Sequence, residues 1–121
     1  MSLTILTVDD SRIMRQKLRE ALIQAGFNVV QAEDGVQGLE ILKTERPDVI
    51  VTDINMPRMD GFGFIEGVRA DDRNRAIPIL VLTTESDGDK KARARQAGAT
   101  GWIVKPFDPV KLVDAIRRVA A

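Results

Sequence analysis

The sequence predicts an open parallel α/β sheet of five strands, each followed by a helix. Three observations carry that expectation. Short apolar runs, Val49-Ile50-Val51 among them, alternate with longer segments whose apolar residues recur at helical spacing. Asp9-Asp10, Asp53, Thr83 and Lys105 each follow closely on such a run, at the carboxyl ends of strands, where a parallel sheet gathers its chemistry. At 121 residues the chain is long enough for one core and too short for two of ordinary size.

Taken in order, Leu3 to Val8 reads as a first buried strand, and Asp9-Asp10-Ser11 as a turn that offers N-cap residues to a helix. That helix carries Met14, Leu18, Ala21, Leu22 and Ala25, and Gly26 stops it. Asn28 to Ala32 is a second strand; Val36, Leu39 and Leu42 mark a second helix that ends before Pro47. The third strand, Val49 to Val51, leads to Asp53. A third helix follows Asp60-Gly61 and runs through Phe62, Ile65 and Val68 to about Ala70, with Gly63 and Gly67 each costing roughly 1 kcal/mol of helix propensity. Asp71 to Ala76 reads as a polar loop, Ile77 to Leu82 as a fourth strand ending at Thr83-Thr84-Glu85, and Asp89 to Ala97 as a charged helix closed by Gly98. Gly101 to Val104 is the fifth strand, ending in Lys105-Pro106, and Asp108-Pro109 opens a last helix with Leu112, Val113, Ile116 and Val119 on its apolar face. For five such units the common strand order is 2-1-3-4-5, with right-handed crossovers and a crevice between the first and third strands.

Composition narrows the function. Eighteen basic residues balance eighteen acidic ones, which argues against nucleic acid or membrane binding through bulk charge. Without cysteine there is no disulfide framework or thiolate metal site, and without histidine no imidazole chemistry. The amino-terminal apolar run is too short for a signal peptide or membrane span, so a cytoplasmic protein is expected.

Taken singly, Asp53 reads as a turn residue, Asp9 and Asp10 as helix caps, Thr83 as a cap, Lys105 as a solvated charge and Trp102 as packing. Their joint placement at the ends of the first, third, fourth and fifth strands changes the reading. Two carboxylates about 4 Å apart repel by about 4 kcal/mol at an effective dielectric near 20, so a cation must sit among them. With oxygen donors alone, magnesium is the natural choice. A carboxylate beside it can attack phosphorus, while the Thr83 hydroxyl and Lys105 ammonium hold the phosphoryl oxygens.

Four motifs are spread along the chain: Val8-Asp9-Asp10-Ser11; Asp53-Ile54-Asn55-Met56-Pro57-Arg58-Met59-Asp60-Gly61; Thr83-Thr84-Glu85; and Gly101-Trp102-Ile103-Val104-Lys105-Pro106-Phe107. With them the sequence resembles the receiver domain of two-component response regulators, and among these the stand-alone chemotaxis type. The flavodoxin-like (βα)5 fold and the 2-1-3-4-5 order are also that family's, so the expected topology rests partly on the resemblance.

The resemblance implies one receiver domain over residues 1–121 with no output domain. It implies that Asp53 accepts phosphate from the phosphohistidine of a sensor histidine kinase, and that Asp10, Asp53 and the backbone carbonyl of Asn55 hold magnesium while Asp9 orients its waters. It also implies that Thr83 and Lys105 bind the phosphoryl group, that Lys105-Pro106 is cis, and that Asn55, Thr84 and Glu85 modulate autodephosphorylation. Such a protein is a phosphoacceptor and not a true enzyme, although it assists its own phosphotransfer. Trp102, where the family usually has Tyr or Phe, would be the aromatic switch.

The expected output is monomeric and made by protein contact through the face of the fourth helix, fifth strand and fifth helix. Flagellar motor control is the leading candidate, with a phosphorelay intermediate as runner-up. A haloacid-dehalogenase-type phosphatase shares the Asp, magnesium, Thr and Lys, but places its nucleophile on the first strand in an Asp-x-Asp-x-Thr run, and here Asp53 is on the third.

Overall fold

The computed structural model describes residues 2–84 and 86–121. Its elements follow the expected alternation: β1 (Thr4–Val8), α1 (Arg12–Gln24), β2 (Asn28–Ala32), α2 (Gly35–Ile41), β3 (Val49–Thr52), α3 (Gly61–Ala70), β4 (Ile79–Thr83), α4 (Gly88–Ala97), β5 (Gly101–Val104) and α5 (Pro109–Ala120). The strands are all parallel, in the order β2-β1-β3-β4-β5.

Alternation along the strands divides the core into two layers, because successive side chains point to opposite faces. Leu6, Val8, Ile50, Ile79 and Val81 face Phe64, Ile65 and Val68 of α3, Ala94 of α4 and, partly buried, Leu39 of α2. Ile5, Val49, Val51, Leu80 and Leu82 face Leu18 and Leu22 of α1 and Leu112 and Ile116 of α5. Each fully buried Leu, Ile or Phe contributes about 1.5–3 kcal/mol, so both layers are needed for a stable domain. The helix starts are capped as the sequence foretells: the Ser11 side chain accepts from the Met14 N–H, and Asp108 accepts from Val110 and Lys111 with Pro109 opening α5.

Two details differ from expectation. β4 begins at Ile79 rather than Ile77: Pro78 has no N–H for the ladder, and the Ile77 N–H turns back to the Asn74 carbonyl. The loop before it holds a short 3-10 turn at Asp72–Asn74, started by the Asp71 side chain accepting from the Arg73 N–H. One of the two glycines that looked like a weakness of α3, Gly67, has a packing role, and Gly38 of α2 shares it. A Cβ on Gly67 would lie 2.8 Å from Leu39 Cδ1, and one on Gly38 of α2 would lie 2.6 Å from Phe64 Cε1. Small residues let α2 and α3 approach closely, and that contact offsets the lost propensity.

Candidate functional site

The ladder itself brings the distant polar residues together. Past the end of β3 the Asp53 N–H bonds the Val8 carbonyl at 2.9 Å, past the end of β1 the Asp9 N–H bonds the Ala32 carbonyl at 3.1 Å, and past β5 the Lys105 N–H bonds the Thr83 carbonyl at 2.8 Å. Each backbone bond continues its strand by one residue and aims the next side chain over the carboxyl edge of the sheet.

There, carboxylate oxygens of Asp9, Asp10 and Asp53 lie within 4.8 Å of one another. Asp9 and Asp53 are buried and Asp10 is exposed at the rim. The Lys105 ammonium reaches between the two buried acids, 2.8 Å from Asp9 Oδ2 and 3.2 Å from Asp53 Oδ2. The other Asp9 oxygen accepts from the Ser11 N–H at 2.9 Å, and the Asp53 Oδ1 from the Ile54 N–H at 2.7 Å. Burial pushes the Asp9 carboxyl above the usual range, against the pull of Lys105 and Ser11. Burial also opposes the charge on Lys105, but its bonds and proximity to Asp9 and Asp53 outweigh that and raise it above its ordinary value. The protein's own lysine thus offsets part of the charge of the two buried carboxylates.

Thr83 is fully buried at the end of β4. Alternation places it with Ile79 and Val81, on the face where Trp102, paired with Val81 across the ladder, packs half-buried against the α2–α3–α4 layer. The α5 residues Leu112 and Ile116 belong to the opposite layer, so the indole sits with the α4 side. Asn55 and Thr84 are exposed in the loops after β3 and β4, Lys105-Pro106 is cis as the resemblance implied, and Glu85 falls outside the described residues.

The loop from Asp53 to Asp60 is shaped at both ends. The Gly61 N–H bonds the Ile54 carbonyl at 2.8 Å, Asp60 caps α3 by accepting from the Gly63 N–H, and a Cβ on Gly61 would collide with the Asp53 carbonyl at 2.3 Å. The motif's final glycine is therefore a steric requirement of the site.

Other contributors escaped the sequence reading. The Arg15 guanidinium donates to the Asp9 carbonyl at 2.7 Å and steadies the turn after β1. Arg58, in the loop after β3, forms a two-bond fork on Asp34, the residue that caps α2. The cap was findable, since Asp34 directly precedes a helical run. The ion pairs were not.

The response regulator receiver domain family matches the chain over residues 5–117. The chain belongs to that family. The chemotaxis protein CheY of Pseudomonas aeruginosa is 40% identical over 95% of this receiver domain and 94% of its own length. Among solved structures, chemotaxis protein CheY4 of Vibrio cholerae superposes with a TM-score of 0.94 at 43% identity, covering 98% of this chain and 99% of that one. The receiver domain of a sensor histidine kinase from Pseudomonas aeruginosa, which has a magnesium ion coordinated in its active site cleft, superposes with a TM-score of 0.92 at 27% identity over 99% of this chain and 98% of that one. The family match leaves the phosphatase alternative without support. Among the described residues, no helix is long and apolar enough to cross a membrane.

Proposed function

We propose that this receiver domain is a phosphorylation-dependent switch in which Asp53 takes a phosphoryl group from a sensor histidine kinase. The observation that carries the reading is the ammonium of Lys105 bridging Asp9 and Asp53 at the β1/β3 crevice. An Asp53 carboxylate oxygen attacks phosphorus; the O–P bond forms as the donor's N–P bond breaks, and the imidazole leaves. Lys105 is close enough to turn from Asp53 to the incoming phosphoryl oxygens while keeping Asp9, and the Thr83 hydroxyl is assigned to another of those oxygens.

The clustered oxygen donors of Asp9, Asp10 and Asp53 suit a hard cation such as magnesium. Asp10, Asp53 and the Asn55 carbonyl would hold it, with Asp9 ordering its waters. Bound there, it would neutralise charge building on the transferred group. Asn55, Thr84 and Glu85 are assigned to the rate of the reverse, hydrolytic step.

Output is proposed to pass through the α4–β5–α5 face to a protein partner in the cytoplasm. The chemotaxis relatives favour flagellar motor control over a phosphorelay role. On that face Val104 is 43% exposed and Ala94 is the one buried residue of α4, which leaves most of the helix surface open to a partner. Acetyl phosphate with magnesium should add one phosphate to the wild type by intact mass and none to Asp53→Asn. An undiminished label on the variant would overturn the assignment.

A further inference from the structure

Arg58 has a left-handed backbone, φ 65°, which side-chain-bearing residues other than Asn and Asp rarely adopt. Something must hold it there. Its guanidinium lies across the α2 N-terminus, with Nε 2.7 Å from Asp34 Oδ2 and Nη2 3.0 Å from Asp34 Oδ1. This fork is the strong, orienting form of an ion pair. Asp34 is itself fixed, because its Oδ1 also accepts from the Gln37 N–H at 2.9 Å and the residue is 5% exposed. A second contact braces the same segment: Met59 lies so close to α2 that a Cβ on Gly35 would be 2.9 Å from its Cγ and 3.0 Å from its carbonyl oxygen. The middle of the loop that begins at Asp53 and carries Asn55 is therefore fastened to α2, the helix that packs over β1 and β2.

We propose that Arg58, clasped to Asp34, is a positioning residue that holds this loop in the shape required for the Asn55 carbonyl to serve the cation site. It sets magnesium affinity without being a ligand. The inference rests on the functional reading above and deepens it. Sign separates this role from a simple charge effect. Removing a nearby positive charge by itself favours cation binding, whereas loosening the loop disfavours it.

The test compares the wild type with Arg58→Asn, which tolerates the left-handed backbone, Arg58→Lys, which keeps the charge but loses the fork, and Asp34→Asn, which keeps the helix cap. Magnesium titration followed by calorimetry should show about fivefold weaker binding for Arg58→Asn, an intermediate loss for Arg58→Lys, and no further loss when Asp34→Asn is added to Arg58→Asn. Amide exchange in metal-free protein should quicken over residues 55–59 and stay unchanged in α3. Wild-type protein that takes up no magnesium overturns the functional reading and the proposal with it. Wild-type binding combined with equal or tighter binding by Arg58→Asn, or with additive losses in the double variant, overturns the clasp alone.

Discussion

Replacing Lys105 with methionine removes the ammonium from between two carboxylates and leaves most of the aliphatic stem, so the perturbation is mainly one of charge. The site is nearly closed: side-chain exposure is 9% for Lys105, 2% for Asp9 and 11% for Asp53. Deleting one partner of a buried pair costs about 3–5 kcal/mol. Asp10 is exposed at the rim and lets water reach the acids once the ammonium is gone, so the lower end applies, about 3 kcal/mol. For a domain of this size that is roughly 12 °C in Tm, at about 4 °C per kcal/mol.

The pH dependence has a definite sign. In the wild type the contribution of Lys105 is complete below its ordinary value of 10.5 and is lost as pH rises through its raised one. In the variant Asp9 keeps the burial that raises its carboxyl and loses the opposing pull of Lys105, so the folded chain binds a proton there more readily than the unfolded chain and stability rises as pH falls from neutral toward the carboxylate range. Magnesium supplies a cation to the same oxygens. At one magnesium concentration it should therefore raise the Tm of Lys105→Met more than that of the wild type, and a hundredfold excess over the variant's own Kd stabilises the variant by about 2.7 kcal/mol. Thermal melts by circular dichroism, in chelator and then in magnesium, read all of this. Equal melting temperatures in chelator, or equal magnesium shifts, would show that the lysine does not hold the acids together.

Gly38→Ala sets a Cβ against the rigid Phe64 ring and should lower stability by about 1–3 kcal/mol, whereas Gly88→Ala, with nothing within 4 Å, should be neutral or stabilising; urea midpoints separate the two. The Asp71 carboxyl, bonded by the side chain and backbone of Arg73, titrates at about 2, so the pair's contribution is present above the ordinary 3.8 and is lost as pH falls through about 2. Carboxyl carbon shifts should show Asp71 still ionised at the midpoint of ordinary aspartates and returned toward the usual value in Arg73→Ala. Trp102 is the only tryptophan and shares a face with Thr83, so beryllofluoride with magnesium should change its emission in the wild type and leave it unchanged in Thr83→Ala; constant emission in the activated wild type would remove the indole from the switch.

Much of the site was legible because its signals are local. A polar residue directly after an apolar run must lie at a strand end, and a parallel sheet puts all such ends on one edge; Asp9, Asp53, Thr83 and Lys105 were placed by that rule alone. The caps Ser11, Asp34, Asp60 and Asp108 obey the same local logic, each lying immediately before a helix whose first N–H groups need acceptors. Gly67 was misjudged because propensity describes a helix by itself, while the residue's value lies in Leu39 on another helix.

From the sequence alone follow the alternation of strands and helices and the set of residues at the sheet's carboxyl edge, since each depends on periodicity over a few residues. The tertiary structure decided which of those residues touch. Lys105 joins Asp9 from 96 positions away and Asp53 from 52, and Arg58 grips Asp34 from 24. Whether an ammonium fits between two carboxylates, or a guanidinium forks onto one, turns on tenths of an ångström set by strand register and loop conformation. No pattern along the chain carries that information, because hydrogen-bond geometry is a property of positions in space and periodicity records only neighbours in sequence.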